Sequence, residues 1–178
     1  SMKKLKILVL VHKDLVPPTR DEADPEEMTT ADWKTEYDVV STLQDLGHEV
    51  KPLGVLGDLE TIRKELVDFK PNIVFNLLEE FDGNNTFDQH VVSYLELKRI
   101  AYTGCNPRGL TIARDKALSK KLLAFHRIPV PKFGVYPKNQ KVKLRKGLEF
   151  PLIVKSLTEE SSMGISQASV VKNVDSLR

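Results

Sequence analysis

The sequence predicts an open, parallel, doubly wound α/β sheet followed by a smaller antiparallel β-rich region. Three observations predict it. A continuous apolar run, Ile7-Leu8-Val9-Leu10-Val11, suits a strand buried on both faces. Short apolar runs then alternate with stretches of helical period up to about residue 106, the pattern of right-handed βαβ crossovers. From Lys132 onward the period changes from helical to alternating.

Lys3 to Val11 is the first strand. Residues 12–31 interrupt the pattern with three prolines and the acidic run Asp21 to Glu27, and a loop this long after a first strand is usually functional or disordered. Residues 32–46 carry a helical stripe of Tyr37, Val40 and Leu43, with Val39 and Leu46 beside it, and Gly47 stands where a glycine ends a helix. Glu49 to Leu53 is the second strand. Asp58 caps a helix bearing Leu59, Ile62, Leu66 and Phe69, which Pro71 stops. Asn72 to Leu77 is the third strand. Beyond the loop 78–85, Thr86-x-x-Gln89 has the form of a capping box opening a helix through Val91, Tyr94, Leu95 and Leu97. Ile100 to Thr103 is the fourth strand.

Pro107 fits the first position of a short helical turn behind Asn106. Asp115 then caps a second helix with Leu118, Leu122 and Phe125 on one side, stopped by Pro129 and Pro131. Strands are expected near 132–136, 150–156 and 165–171. The connector 138–148, with Lys138, Lys141, Lys143, Arg145 and Lys146, reads as solvated turns. Asn173 caps the start of a last helix.

Bulk composition narrows the class. The chain has 178 residues, 40% of them hydrophobic and 29% charged, enough to bury a core in one domain or a domain and a half. A net charge of +2 argues for neither nucleic acid nor a membrane surface as the partner. One cysteine, Cys105, excludes an internal disulfide and fits a reducing compartment. No apolar run approaches the ~20 residues that span a bilayer, and no signal peptide is evident. Ser1-Met2 reads as a tag remnant ahead of a native start, so a cytoplasmic protein is expected.

One stretch points to chemistry. Leu152 to Val154 delivers Lys155; the polar loop Ser161-Ser162-Met163-Gly164 follows, and Ile165 to Val171 closes the unit. A hairpin tip with hydroxyls, a glycine and free N–H groups above an ammonium suits a polyphosphate. An ordinary surface hairpin fits the same residues. It is not a Walker loop, because the glycine follows the lysine.

Val154-Lys155 with Glu160-Ser161-Ser162-Met163-Gly164 resembles the strand and loop of the ATP-grasp ligases, in the D-alanine–D-alanine ligase-like branch. Ala101-Tyr102-Thr103-Gly104-Cys105, Ala113-Arg114-Asp115-Lys116 and Ile128-Pro129-Val130-Pro131 match that branch in order and approximate spacing. The resemblance covers most of residues 70–175. It implies a pre-ATP-grasp α/β domain over 1–106, a helical linker over 107–131, and the start of an ATP-grasp small subdomain over 132–178. It also implies that the chain is the N-terminal part of an ATP-dependent carboxylate–amine ligase acting through an acyl phosphate, inactive as this portion alone.

The same resemblance assigns site residues. Lys116 and Lys155 would contact the ATP phosphates, with Ser161, Ser162, Met163 and Gly164 closing over them as a lid. Ser162, ahead of Ser161, would join a hydrogen-bonded group at the substrate in a catalytic role. Mg2+ would accompany ATP, on ligands beyond Arg178 and none within this chain. The partners would be small carboxylate and amine substrates, amino acids or peptides, with no nucleic acid and no membrane; a homodimer is left open.

Departures fall on the substrate side. The loop after the third strand keeps Asp82-Gly83, but Leu78 and Glu79 stand where the ligases have a histidine and glycine. Val11-His12-Lys13-Asp14 replaces their glycine-rich first loop and its glutamate. Glu79, Glu80 and Asp82 could hold a substrate ammonium, or be merely solvated. The four histidines, His12, His48, His90 and His126, show no metal spacing. The alternative function is a flavodoxin-like ligand-binding or regulatory module without chemistry. A Rossmann domain is disfavoured because no Gly-x-Gly-x-x-Gly follows the first strand.

Overall fold

Five consecutive apolar residues give β1 (Lys6–His12) side chains to bury on both faces, and Ile7 to Val11 are all buried. The computed structural model describes residues 3–158, 166 and 169–177. In it β1 is the inner partner of β2 (Glu49–Val55) and β3 (Ile73–Asn76), and β4 (Ala101–Tyr102) pairs with β3. The sheet order is β2-β1-β3-β4, and every pairing is parallel. The register runs from Lys6↔Glu49 to His12↔Val55 on one side and from Ile7↔Ile73 to Leu10↔Asn76 on the other. Pro52 lies in β2 because an edge strand is where a sheet tolerates a missing N–H. The expected parallel α/β sheet is the one the chain forms.

Alternation along β1 sorts the helices onto two faces. Ile7, Val9 and Val11 cluster with Val40 of α1 (Lys34–Asp45). Leu8, Leu10 and Val74 cluster with Ile62 of α2 (Leu59–Asp68) and with Val91 and Leu95 of α3 (Asp88–Leu97). Burying each Leu or Ile contributes roughly 1.5–3 kcal/mol.

Local chemistry ends each helix. Asp58 accepts the Glu60 N–H at 2.7 Å, as expected of a cap. Gly47 (φ 88°) donates to Gln44 while His48 donates to Leu43, the paired bonds of a Schellman motif. Arg99 (φ 56°) closes α3 in the same way, and its cation suits the negative end of the helix. The expected Thr86–Gln89 capping box is not what opens α3. Asn84 Oδ1 takes both the Thr86 N–H (2.9 Å) and hydroxyl (2.8 Å), and the helix begins at Asp88. Within the long segment 12–31, the Arg20 guanidinium reaches Asp45 (2.6 Å) and the Ser41 carbonyl (2.7 Å). The Thr19 hydroxyl and N–H hold the Glu22 carboxyl below its ordinary pKa.

The chain divides into two units, Ser1–Leu110 and Thr111–Arg178. Helix α4 (Pro107–Arg114) opens with Asn106 accepting the Gly109 N–H at 2.8 Å. In the second unit Asp115 caps α5 (Lys116–Phe125) by accepting from both Ala117 and Leu118 at 2.9 Å. β5 (Leu152–Ile153) and β6 (Val170–Val171) pair antiparallel. Residues 132–136, expected as a strand, form none. Pro131 and Pro137 bracket the segment and withhold ladder donors, and the Tyr136 ring folds back over Gly134. Asn173 Oδ1 accepts the Ser176 N–H at 2.9 Å, capping the short turn Asp175–Leu177.

Candidate functional site

A doubly wound sheet leaves a crevice where chains exit neighbouring strands in opposite directions. Here that switch point lies between the carboxyl ends of β1 and β3, since α1 and α2 cover opposite faces. His12 ends β1 and Glu80 follows β3, and the two meet: His12 Nε2 lies 3.1 Å from Glu80 Oε1. His12 Nδ1 accepts the Asp14 N–H at 3.2 Å. That bond assigns the ring proton to Nε2, which then donates to Glu80. The turn beyond His12 rests on Gly54 of β2, where a Cβ would come within 2.6 Å of Val16 and 3.2 Å of the Lys13 Cα.

The loop after β3 is fixed residue by residue. Leu77 donates to the Leu10 carbonyl (2.9 Å), and Asn76 takes the Leu78 N–H (3.1 Å) while donating its own to Thr103 (3.0 Å). Leu78 is buried in the core and anchors the loop. Phe81 and Asn84 then exchange backbone bonds around Asp82 (φ 53°) and Gly83 (φ 70°), both left-handed, as in a type I′ turn. The Asp82 N–H bonds the Leu56 carbonyl at 2.7 Å, and its carboxylate lies over Gly57. Of the three expected acids, Glu80 thus faces the switch point, Asp82 shapes the turn, and Glu79 is exposed. Sequence reasoning missed His12, which sits at no motif spacing. The available signal was its position as the last residue of a buried central strand.

The second unit brings Lys116 and the exit of β5 together. The Lys116 N–H, at the start of α5, donates to the Leu157 carbonyl at 3.3 Å, two residues past Lys155. Lys155 itself is exposed. The expected lid residues Ser161, Ser162, Met163 and Gly164 lie outside the described residues. Among the described residues no group of three or more His, Cys, Asp or Glu is arranged to hold a metal, and no helix is long and apolar enough to cross a membrane.

The fold is an open α/β architecture with a crevice at its switch point, and a second unit presents two lysines from neighbouring backbone segments. No protein-family model matches the chain. Its sequence is 33% identical over 136 residues to the uncharacterized protein y4sG of Sinorhizobium fredii, covering 71% of this chain and 38% of that protein. It is 31% identical over 128 residues to the D-alanine–D-alanine ligase of Pelagibacter ubique, covering 67% and 41%. The corresponding ligase of Moorella thermoacetica is 31% identical over 134 residues, covering 71% and 41%. In fold the chain matches the crystal structure of D-alanine–D-alanine ligase from Bacillus anthracis complexed with ATP. The TM-score is 0.66 at 21% identity, over 97% of this chain and 52% of that one. The chain therefore resembles the D-alanine–D-alanine ligases in sequence and shares their fold, and it spans less than half the length of these curated relatives.

Proposed function

We propose that the chain is part of an ATP-dependent carboxylate–amine ligase of D-alanine–D-alanine ligase-like type. The observation that carries this reading is its sequence similarity, over two thirds or more of its length, to proteins named D-alanine–D-alanine ligase. ATP, when bound, would supply the phosphoryl group that activates a carboxylate as an acyl phosphate for attack by an amine. Lys116 and Lys155 fit that ligand: the Lys116 N–H bonds the Leu157 carbonyl, two residues past Lys155, and ammonium groups on neighbouring segments suit phosphate charge. Lys155 would act as a point charge on the phosphates and Lys116 as its companion. Ser161, Ser162, Met163 and Gly164 would exclude water above them, with Ser162 also at the substrate.

The amino-acid or peptide substrate belongs at the switch point. Glu80 would accept from its ammonium group, held in orientation by His12 Nε2–H, while Glu79 adds negative charge nearby. Mg2+ is part of the reading, but the described residues form no site for it, so no step is routed through it. The division into 1–106, 107–131 and 132–178, a cytoplasmic setting and small-molecule partners go with the same proposal.

Steady-state phosphate release by the full-length protein tests it. Release should require both ATP and an amino acid or peptide. Lys155→Ala should lower kcat/KM by about 10²–10³-fold, the scale for one preorganised electrostatic contact, with an unchanged circular dichroism spectrum. Wild-type turnover in Lys155→Ala would remove this lysine from the site. ATP consumption indifferent to every amino acid would sink the ligase reading.

A further inference from the structure

The net charge of +2 conceals a division. Residues 1–110 carry 13 Lys and Arg against 20 Asp and Glu, whereas residues 111–178 carry 14 against 5. Lys116 and Lys155 account for only two of those 14 cations. Residues 130–148 hold six Lys and Arg and no acid. Three of the six converge on one concavity: a cavity of about 350 Å3 is lined by Lys132, Arg145 and Lys146 together with Val130, Phe133 and Leu148. Among the described residues none of these three cations has an ion-pair partner.

Two of these cations are placed rather than loose. The Arg145 N–H donates to the Tyr136 hydroxyl at 3.2 Å, and its guanidinium lies over the same ring at 5.9 Å. The Leu148 N–H bonds the Arg145 carbonyl at 3.2 Å, closing a turn through Gly147 (φ 88°). Lys132, from the other wall, brings its ammonium to 3.8 Å from where a Gly147 Cβ would stand. Gathering like charges around one hollow is unfavourable unless an anion compensates them. The volume lies in the range of small-molecule sites, which a protein or nucleic-acid partner would not need.

We propose that this pocket is an anion subsite separate from Lys116 and Lys155, taking a small oxyanion of the size and charge of a diphosphate. The Arg145 fork would engage two phosphate oxygens, and Lys132 and Lys146 would supply point charges.

Calorimetric titration of the chain with pyrophosphate at low salt tests this. The expected result is saturable binding, weakened about tenfold or more by Arg145→Ala and by Lys132→Ala and unchanged in Lys172→Ala, an exposed lysine outside the pocket. Binding lost in Lys155→Ala but intact in the pocket variants would assign the anion to the lysine pair and overturn the proposal. So would an absence of pyrophosphate binding, including the case where only a long polyanion binds. Should either pocket variant fail to fold, amide shifts on adding pyrophosphate to the unaltered chain decide the matter. They should concentrate in 130–133 and 145–148, and shifts confined elsewhere would refute the site.

Discussion

The two units of this chain keep their apolar side chains in opposite ways. Among the described residues, thirteen of the fifteen buried hydrophobic side chains other than proline lie in residues 1–110, and only Ala117 and Val171 lie in the second unit. Among the described residues, large exposed hydrophobic side chains run the other way, six in the first unit and eleven in the second. The first unit is held by burial on both faces of a sheet. The second relies on helix caps, a short antiparallel pair and turns. A sheet built around one strand carries its stability in its interior, whereas a unit without such a strand carries it in local hydrogen bonds.

The largest expected effect breaks the first unit. Leu10→Ala, at a position with no exposure, should cost about 2–5 kcal/mol in chemical denaturation. Leu122→Ala, 38% exposed in α5, should cost less than about 1 kcal/mol. Equal losses would mean that the second unit has an interior of its own. A smaller effect sharpens the contrast. Asp58→Ala and Asp115→Ala should each cost about 1 kcal/mol by loss of a helix cap. Residue-resolved hydrogen exchange should show each loss confined to its own unit, and a shared loss would make the two a single cooperative body.

The smallest effect is electrostatic. The Tyr102 phenol donates to Glu96 at 2.7 Å, and that bond pushes its pKa from the usual 10 up to about 12. A raised folded-state pKa means that the contribution to stability is complete below pH 10. It is lost as pH rises through about 12. Absorbance titration should find Tyr102 ionising late, and Glu96→Gln should bring it back toward the ordinary value. An unchanged titration in Glu96→Gln would exclude the carboxylate as the cause.

Legibility in the sequence followed local chemistry and cut across the two units. The run Ile7 to Val11 has one low-energy use, as an inner strand, and Asp58, Asp115, Gly47 and Asn173 act where local chemistry says they should. Thr86 failed as a cap because Asn84, two residues earlier, could take its N–H, a competition that spacing alone does not rank. Residues 132–136 alternate like a strand, but prolines on both sides remove donors that a pattern of hydrophobicity does not count. Glu36 is buried on α1 one turn before Val40, with Oε2 lacking a hydrogen-bond partner among the described residues, so a charged letter occupies the core-facing stripe. The pairing of His12 with Glu80 was beyond reach for another reason. It depends on β3 inserting next to β1 rather than next to β2, and strand order is not written in any local segment.

That strand order also sets a timetable for the nascent chain. β1 leaves the ribosome before both of its neighbours, residues 49–55 and 73–76, each behind a helix still to be made. One edge of the strand stays open until the second neighbour is synthesised, and an apolar strand with unpaired backbone is a template for mispairing. The two polar clamps at its start, Lys6 N–H to Asn72 Oδ1 and Asn72 N–H to the Lys6 carbonyl, both 2.8 Å, close only on arrival of β3. The central strand thus keeps one bare edge until the third strand arrives.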